Sequence, residues 1–290
     1  MKKLSLSLLG ILCATSLVAC GSEAATSDAT EAPAAETTEV ASTFDASSLD
    51  PASDAGTIFS NGTLVIGITI YEPMNYEDEN GVLTGFDTEF AEALCDRLGL
   101  TAQFQEIDWE MKETELKSMN IDCIWNGLTV TEDRKENMDF STPYLTNKQC
   151  VVVNTADGYT DSASLAGAIL SAESGSAGET AIMADANLSQ GTYTASTSQQ
   201  DALIALKAGN VDAIVIDYTM ATASVGSGDY ADMEILDIEL ENELYAIGFR
   251  TGSNMTAIVN QTIDELIADG TLAALAEKYD MTELYEAAIN

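Results

Sequence analysis

Two hydrophobic periods alternate along the chain. Residues 63–69 (TLVIGIT) form a short, β-branched apolar run of the kind a buried strand requires. Phe86, Phe90, Leu94 and Leu98 then recur every fourth residue, which places them on one stripe of a helix. Asp87 and Glu89 fall in its first turn, where the helix dipole favours negative charge, and Gly99 can close it in a left-handed conformation. The same switching of period predicts strands over 102–107, 121–125, 148–154, 168–173, 211–216, 233–240 and 244–249. It predicts helices over 111–119, from about 179, over 199–208 ending at Gly209, and over 255–268 and 272–279 on either side of Gly270. Strand–helix alternation on this scale implies an α/β fold with largely parallel sheets.

The first 56 residues follow neither period. Met1-Lys2-Lys3 precedes an apolar run from Leu4 to Ala19, the order of a secretory signal. That run is shorter than the about 20 apolar residues a membrane span needs. It closes on Leu17-Val18-Ala19-Cys20-Gly21, which resembles a bacterial lipobox and implies cleavage before Cys20 and diacylation of its thiol. Two acyl chains anchor stably where one does not. Residues 22–56 are rich in Ser, Thr, Ala, Glu and Asp, lack Lys and Arg, and carry no apolar periodicity. Such a segment cannot bury enough surface to offset its chain entropy, so residues 20–56 are expected to form a lipidated, disordered tether.

The remaining chain, about 230 residues, is long enough for one large domain or two lobes with a sizeable core. A formal net charge of -37 argues against nucleic acid as a partner, because phosphates would be repelled. After the signal and Cys20, the three cysteines Cys95, Cys123 and Cys150 cannot complete a disulfide framework, and each sits in an apolar context. With no His and no CxxC pair, neither a metal nor a cofactor is expected.

Three segments carry candidate chemistry. Asn126 to Arg134 (NGLTVTEDR) follows a strand and enters a short helix capped by Thr131, whose amides suit an anion. Arg134 can grip a carboxylate through two parallel hydrogen bonds, or it can pair at the surface with Glu132 or Asp133. Glu173 to Gly178 (ESGSAG) joins a strand to a helix, and its small residues either admit a ligand to the backbone amides or simply make a turn. Asp217 ends an apolar strand, where ligands of open α/β sheets bind, and it can also cap the next helix. Together these segments supply a cation and amides for a carboxylate, and a carboxylate for an ammonium. A free amino acid needs both, because either charge buried unpaired is costly.

The segments 64–99 (LVIGITIYEPMNYEDENGVLTGFDTEFAEALCDRLG), 121–134 (IDCIWNGLTVTEDR), 138–144 (MDFSTPY), 174–178 (SGSAG), 208–217 (AGNVDAIVID) and 268–279 (ADGTLAALAEKY) resemble the family 3 bacterial extracellular solute-binding proteins, the polar amino-acid receptors of ABC transporters. The resemblance implies a two-lobed periplasmic-binding-protein type II fold with two hinge crossovers. Lobe one would comprise 57–147 plus 246–290, and lobe two 148–245. It places Arg134 on the ligand carboxylate, the Thr129 hydroxyl and amide and the Gly127 carbonyl beside it, and the Ser176 and Ala177 amides on the opposite lobe. Asp217 would meet the ammonium, and Tyr71 and Trp109 would face the ligand side chain or else serve as core aromatics. The pair Asn126-Gly127 stands where many members carry Ser-Ser or Ala-Gly. An Asp that some members use for a basic side chain has no clear counterpart. The resemblance further implies a monomer, held by its lipid on the outer face of the cell membrane, that passes a free amino acid to a membrane permease and catalyses nothing. The same fold also serves dehydratases, and the same pocket could serve a sensor for a membrane kinase.

Overall fold

The computed structural model describes residues 44–289. Signal, lipobox and most of the tether lie outside the described residues. Among the described residues no helix is long and apolar enough to cross a membrane.

Two main sheets organise the chain. The first runs Thr101–Glu106, Thr63–Ile68, Cys123–Ile124, Gly248–Arg250, Met138–Phe140 in spatial order. The second runs Met233–Ile235, Leu145–Asn154, Ala213–Asp217, Ile169–Glu173, Thr192–Ser196, with Asn242–Tyr245 added alongside Leu145–Asn154. Pairing is parallel where strand–helix–strand units follow one another, as between Thr63–Ile68 and Thr101–Glu106 or between Ile169–Glu173 and Thr192–Ser196. It is antiparallel wherever a strand returns from a crossover, so the sheets are mixed rather than largely parallel.

The helical stripe read from the sequence is the first lobe's main contribution to its core. Phe86, Phe90, Leu94 and Leu98 on helix Phe86–Leu98 are all buried, and Gly99 closes the helix at φ +69°. Each buried side chain of this size contributes about 1.5–3 kcal/mol by leaving water. Phe90 meets Trp125 edge-on at 4.7 Å and Tyr144 at 5.4 Å, which packs the floor beneath the loop that follows Cys123–Ile124. Cys95, Cys123 and Cys150 are free and buried, with burial pushing the Cys95 thiol up to about 12.

The apolar run 244–249, which reads as one strand, is two. Asn242–Tyr245 pairs with Leu145–Asn154 of the second lobe, and Gly248–Arg250 pairs with Cys123–Ile124 and Met138–Phe140 of the first. The chain therefore passes between lobes twice, at 141–144 and at 246–247. The two crossings are tied side by side by Tyr144 N–H donating to the Tyr245 carbonyl at 3.0 Å and by Ser141 N–H to the Ile247 carbonyl at 2.9 Å. The expected boundary at residue 147 falls inside strand Leu145–Asn154, because that strand enters the second sheet at its first residue.

The expected tether is too long at its C-terminal end. A short 3-10 turn forms at Ala46–Ser48 and a helix at Asp54–Asn61, capped by Ser53, whose hydroxyl accepts from Gly56 N–H at 3.1 Å. Ala55, Ile58 and Phe59 stand at helical spacing in an otherwise small and polar stretch. It is held by tertiary contacts: Ala55 is fully buried, Phe44 stacks on Phe59 at 5.0 Å, and Asp54 pairs with Arg250 at 2.5 Å. Also absent from the sequence reading are the strands Thr192–Ser196 and Met138–Phe140 and the helix Thr282–Ile289.

Candidate functional site

A small cavity lies where the two lobes face each other. It is lined by Trp109, Asn126, Gly127, Thr129 and Arg134 from the first lobe and by Glu173, Ser176, Ala177, Gln199 and Asp217 from the second. Its free volume is ≈ 10 Å³, about the room for one water, so a ligand of amino-acid size enters only if the lobes part. A groove of ≈ 640 Å³ adjoins it, sharing Thr129 and Ala177.

The first lobe presents the loop 125–134. Gly127 holds φ +53°, and its N–H donates to buried Asp87 Oδ2 at 2.7 Å. A Cβ there would stand 2.8 Å from the Tyr71 ring and 3.0 Å from Tyr245, so only glycine fits the turn. Asn126 locks the loop from the other side. Its Oδ1 accepts from Thr69 N–H at 2.9 Å and Asn75 Nδ2 at 2.8 Å, and its Nδ2 donates to Thr69 Oγ1 at 2.7 Å. Thr131 then caps the four-residue helix Glu132–Lys135 by accepting from Arg134 N–H at 3.2 Å.

This loop delivers Arg134 into the cavity, where it is only 8% exposed. Its Nη1 donates to the Thr129 carbonyl at 2.8 Å and its Nη2 reaches across the cleft to the Gly175 carbonyl at 3.2 Å. Burial lowers its pKa, yet a guanidinium stays protonated. Lys112 converges on the same carbonyl, at 2.9 Å, and also donates to the Trp109 carbonyl at 3.1 Å. Burial first, and then the Arg134 charge, bring the Lys112 ammonium down to about 8.

The second lobe answers with carboxylates. Asp217 closes strand Ala213–Asp217 and accepts amide donors from Asn147 at 2.8 Å, Gln149 at 2.6 Å and Gln199. Burial raises its pKa, and these donors oppose the rise by favouring the charged form. Glu243, on Asn242–Tyr245, receives the same Asn147 and Gln149 amides and the Thr129 hydroxyl at 3.1 Å. Burial, with Asp217 next to it, pushes Glu243 up to about 7. Ser176 caps helix Ala177–Ala184, accepting from Glu179 N–H at 3.2 Å, and Glu179 accepts in turn from Gly175 N–H at 2.7 Å. Two of the turn amides are taken within the chain, Gly175 N–H by Glu179 and Ser176 N–H by the Glu173 carbonyl at 3.2 Å, at the start of that helix.

The family model of the bacterial extracellular solute-binding proteins, family 3, matches residues 64–282. The chain belongs to that family. Among relatives, it is 30% identical over 224 residues to the L-cystine-binding protein TcyJ of Escherichia coli K12, across 75% of this chain and 82% of that protein. Among solved structures, it is similar to Tv2483 bound to L-arginine, with a TM-score of 0.76 and 28% identity over 81% of this chain and 96% of that one. It is likewise similar to a Streptococcus pneumoniae ABC uptake transporter substrate-binding protein with bound histidine, with a TM-score of 0.72 and 29% identity over 79% and 97% of the two chains.

Within this family 3 solute-binding protein, eight of the nine residues expected from the sequence at the ligand line the one cavity: Trp109, Asn126, Gly127, Thr129, Arg134, Ser176, Ala177 and Asp217. Tyr71 does not. It is 1% exposed, lies behind Gly127, and its hydroxyl bridges Thr219 and, at 3.0 Å, Tyr245. Tyr71 is thus a buried prop under the glycine turn rather than a wall of the cavity. Sequence reasoning left Glu173, Gln199, Lys112 and Glu243 out of the site. For Glu173 the signal was present, since it ends a strand next to Asp217 just as Asp217 ends its own. For Lys112 and Glu243 the contacts that bring them to the cavity, with the Gly175 carbonyl and the Thr129 hydroxyl, span 63 and 114 residues, beyond any local signal.

Proposed function

We propose that the protein is the amino-acid receptor of an ABC importer, capturing a free amino acid between its lobes and delivering it to a membrane permease. The observation that carries this reading is the convergence of Arg134 from one lobe and Asp217 from the other on a single buried cavity. An α-amino acid is a zwitterion, and this pair matches both of its charges. Its carboxylate takes over the two guanidinium donors now held by the Thr129 and Gly175 carbonyls, with the Ala177 amide and Thr129 hydroxyl adding donors. Its ammonium donates to Asp217. Because Gly175 lies across the cleft from Arg134, the ligand replaces a direct interlobe contact with one it makes to both sides. Ligand affinity for the closed arrangement is then what shifts the hinge toward closure.

In this reading residues 1–19 are a signal, Cys20 is diacylated, and the following residues tether a monomer to the outer face of the membrane. Lobe one then takes in the helix Asp54–Asn61 and runs to the crossing at 141–144, resuming after the crossing at 246–247, and lobe two is 145–245. The chain binds its ligand and does not transform it. A thermal-shift screen of the full chain in detergent against the common amino acids and cystine tests the receptor reading. A ligand at about 100 times its Kd adds about 2.7 kcal/mol of stability; no shift with any amino acid refutes it. Cys20→Ser is expected to release the protein from membranes, which fractionation measures.

A further inference from the structure

The two strand-end carboxylates of the second lobe, Glu173 and Asp217, reach the same cavity but differ in what surrounds them. Asp217 accepts three side-chain amides. Glu173 is 3% exposed, and its Oε1 has no hydrogen-bond partner among the described residues. A buried acceptor without a donor costs about 1–3 kcal/mol, and more if charged. Nothing in the packing of the strand calls for that oxygen. Leucine would fill similar space without burying a polar atom.

The neighbouring cations do not relieve it. Lys112 and Arg134 favour the Glu173 charge from a distance, but Lys112 Nζ donates to the carbonyls of Trp109 and Gly175, and Arg134 to those of Thr129 and Gly175. Around the cavity stand two cations, Arg134 and Lys112, and three carboxyl groups, Asp217, Glu173 and Glu243. A zwitterion that gives its carboxylate to Arg134 and its ammonium to Asp217 leaves Glu173 Oε1 without a donor. A ligand whose side chain ends in a cation supplies that donor.

We propose that Glu173 sets the specificity of this site and selects amino acids whose side chain ends in a cation, as in arginine, lysine or ornithine. This rests on the amino-acid reading above: Arg134 takes the carboxylate, Asp217 the α-ammonium, and Glu173 Oε1 the side-chain nitrogen. An apolar side chain of equal length leaves the oxygen orphaned. An acidic one brings a like charge beside it.

Calorimetric titration of the full chain in detergent tests this with matched pairs: L-arginine against L-citrulline, L-lysine against L-norleucine, and L-glutamate alone. The cationic member of at least one pair is expected to bind about tenfold or more tighter than its neutral partner, with glutamate weakest. Glu173→Gln is expected to shrink that ratio about tenfold, and because the ratio compares two ligands on one sample it is independent of the folded fraction. Glu173→Leu, which removes the orphaned oxygen altogether, is expected to bind norleucine more tightly than the wild type does. Neutral or acidic amino acids binding the wild type as tightly as cationic ones, or an unchanged ratio in Glu173→Gln, overturns the inference while the receptor reading stands. Binding of no amino acid at all overturns both.

Discussion

Two arginines about a hundred residues apart illustrate opposite uses of the same side chain. Arg250 is saturated by carboxylates: Asp54 at 2.5 Å and Asp122 at 3.1 Å, with Ile121 and Leu116 carbonyls taking another of its nitrogens. It pins the helix Asp54–Asn61 and the loop before Cys123–Ile124 to the end of its own strand. Arg134 is more deeply buried and, among the described residues, belongs to no ion pair; its donors meet only carbonyls. A neutral carbonyl satisfies a hydrogen bond but not a charge. The arginine whose anion is already supplied by the chain is structural, and the one left with carbonyls is, in the proposed function, the one that takes an anion from outside.

Substitution should separate these roles. Arg134→Ala is expected to weaken amino-acid binding about 100-fold or more, since it removes charge-assisted donors from a desolvated site; titration calorimetry measures it. Arg250→Ala should leave affinity within about threefold and instead lower unfolding free energy by about 2–3 kcal/mol, because Asp54 and Asp122 lose their partner. Urea denaturation reads that loss. Equal effects of both variants on affinity would break the distinction.

The smallest expected effect concerns the carboxyl group beneath the site. Asp87 is 1% exposed, and burial pushes it up to about 7 even though the Gly127 amide favours its charged form. In the unfolded chain an Asp titrates near 3.9. Between about pH 4 and 7 the folded state therefore holds a proton that the unfolded state has lost. Stability attributable to Asp87 is fully present below the lower value and is lost as pH rises through the upper one. Glu243 and Glu173, raised to about 7 and about 8, act in the same direction. Thermal melts at pH 5 and 7.5 should show a smaller difference for Asp87→Asn than for the wild type, with part of the slope remaining. An unchanged slope would mean that Asp87 is ionised throughout.

Much of the site was legible because its parts are local. The Thr131 and Ser176 caps each involve residues three apart, Gly127 sits at a turn directly after a strand, and Asp217 ends an unbroken apolar run. Tyr71 kept two readings open for the opposite reason. An aromatic after a strand can face a ligand or support a loop, and here its contacts with Gly127, Thr219 and Tyr245 lie 56 to 174 residues away.

Sequence by itself determined the strongest periods: the buried strands Thr63–Ile68 and Ala213–Asp217, which stripe of helix Phe86–Leu98 is buried, where Gly99 ends it, and that a cation, small-residue turns and a strand-end carboxylate all occur. These depend on neighbours within a turn or two of one another. Only the tertiary structure decided that 242–250 divides between two sheets, that Asp54 is held by Arg250, and that Glu173 faces the cavity with an unpartnered oxygen. Those outcomes are set by which distant groups arrive beside a residue, and whether a buried charge finds its partner inside the chain or must receive it from a ligand is a property of that arrival.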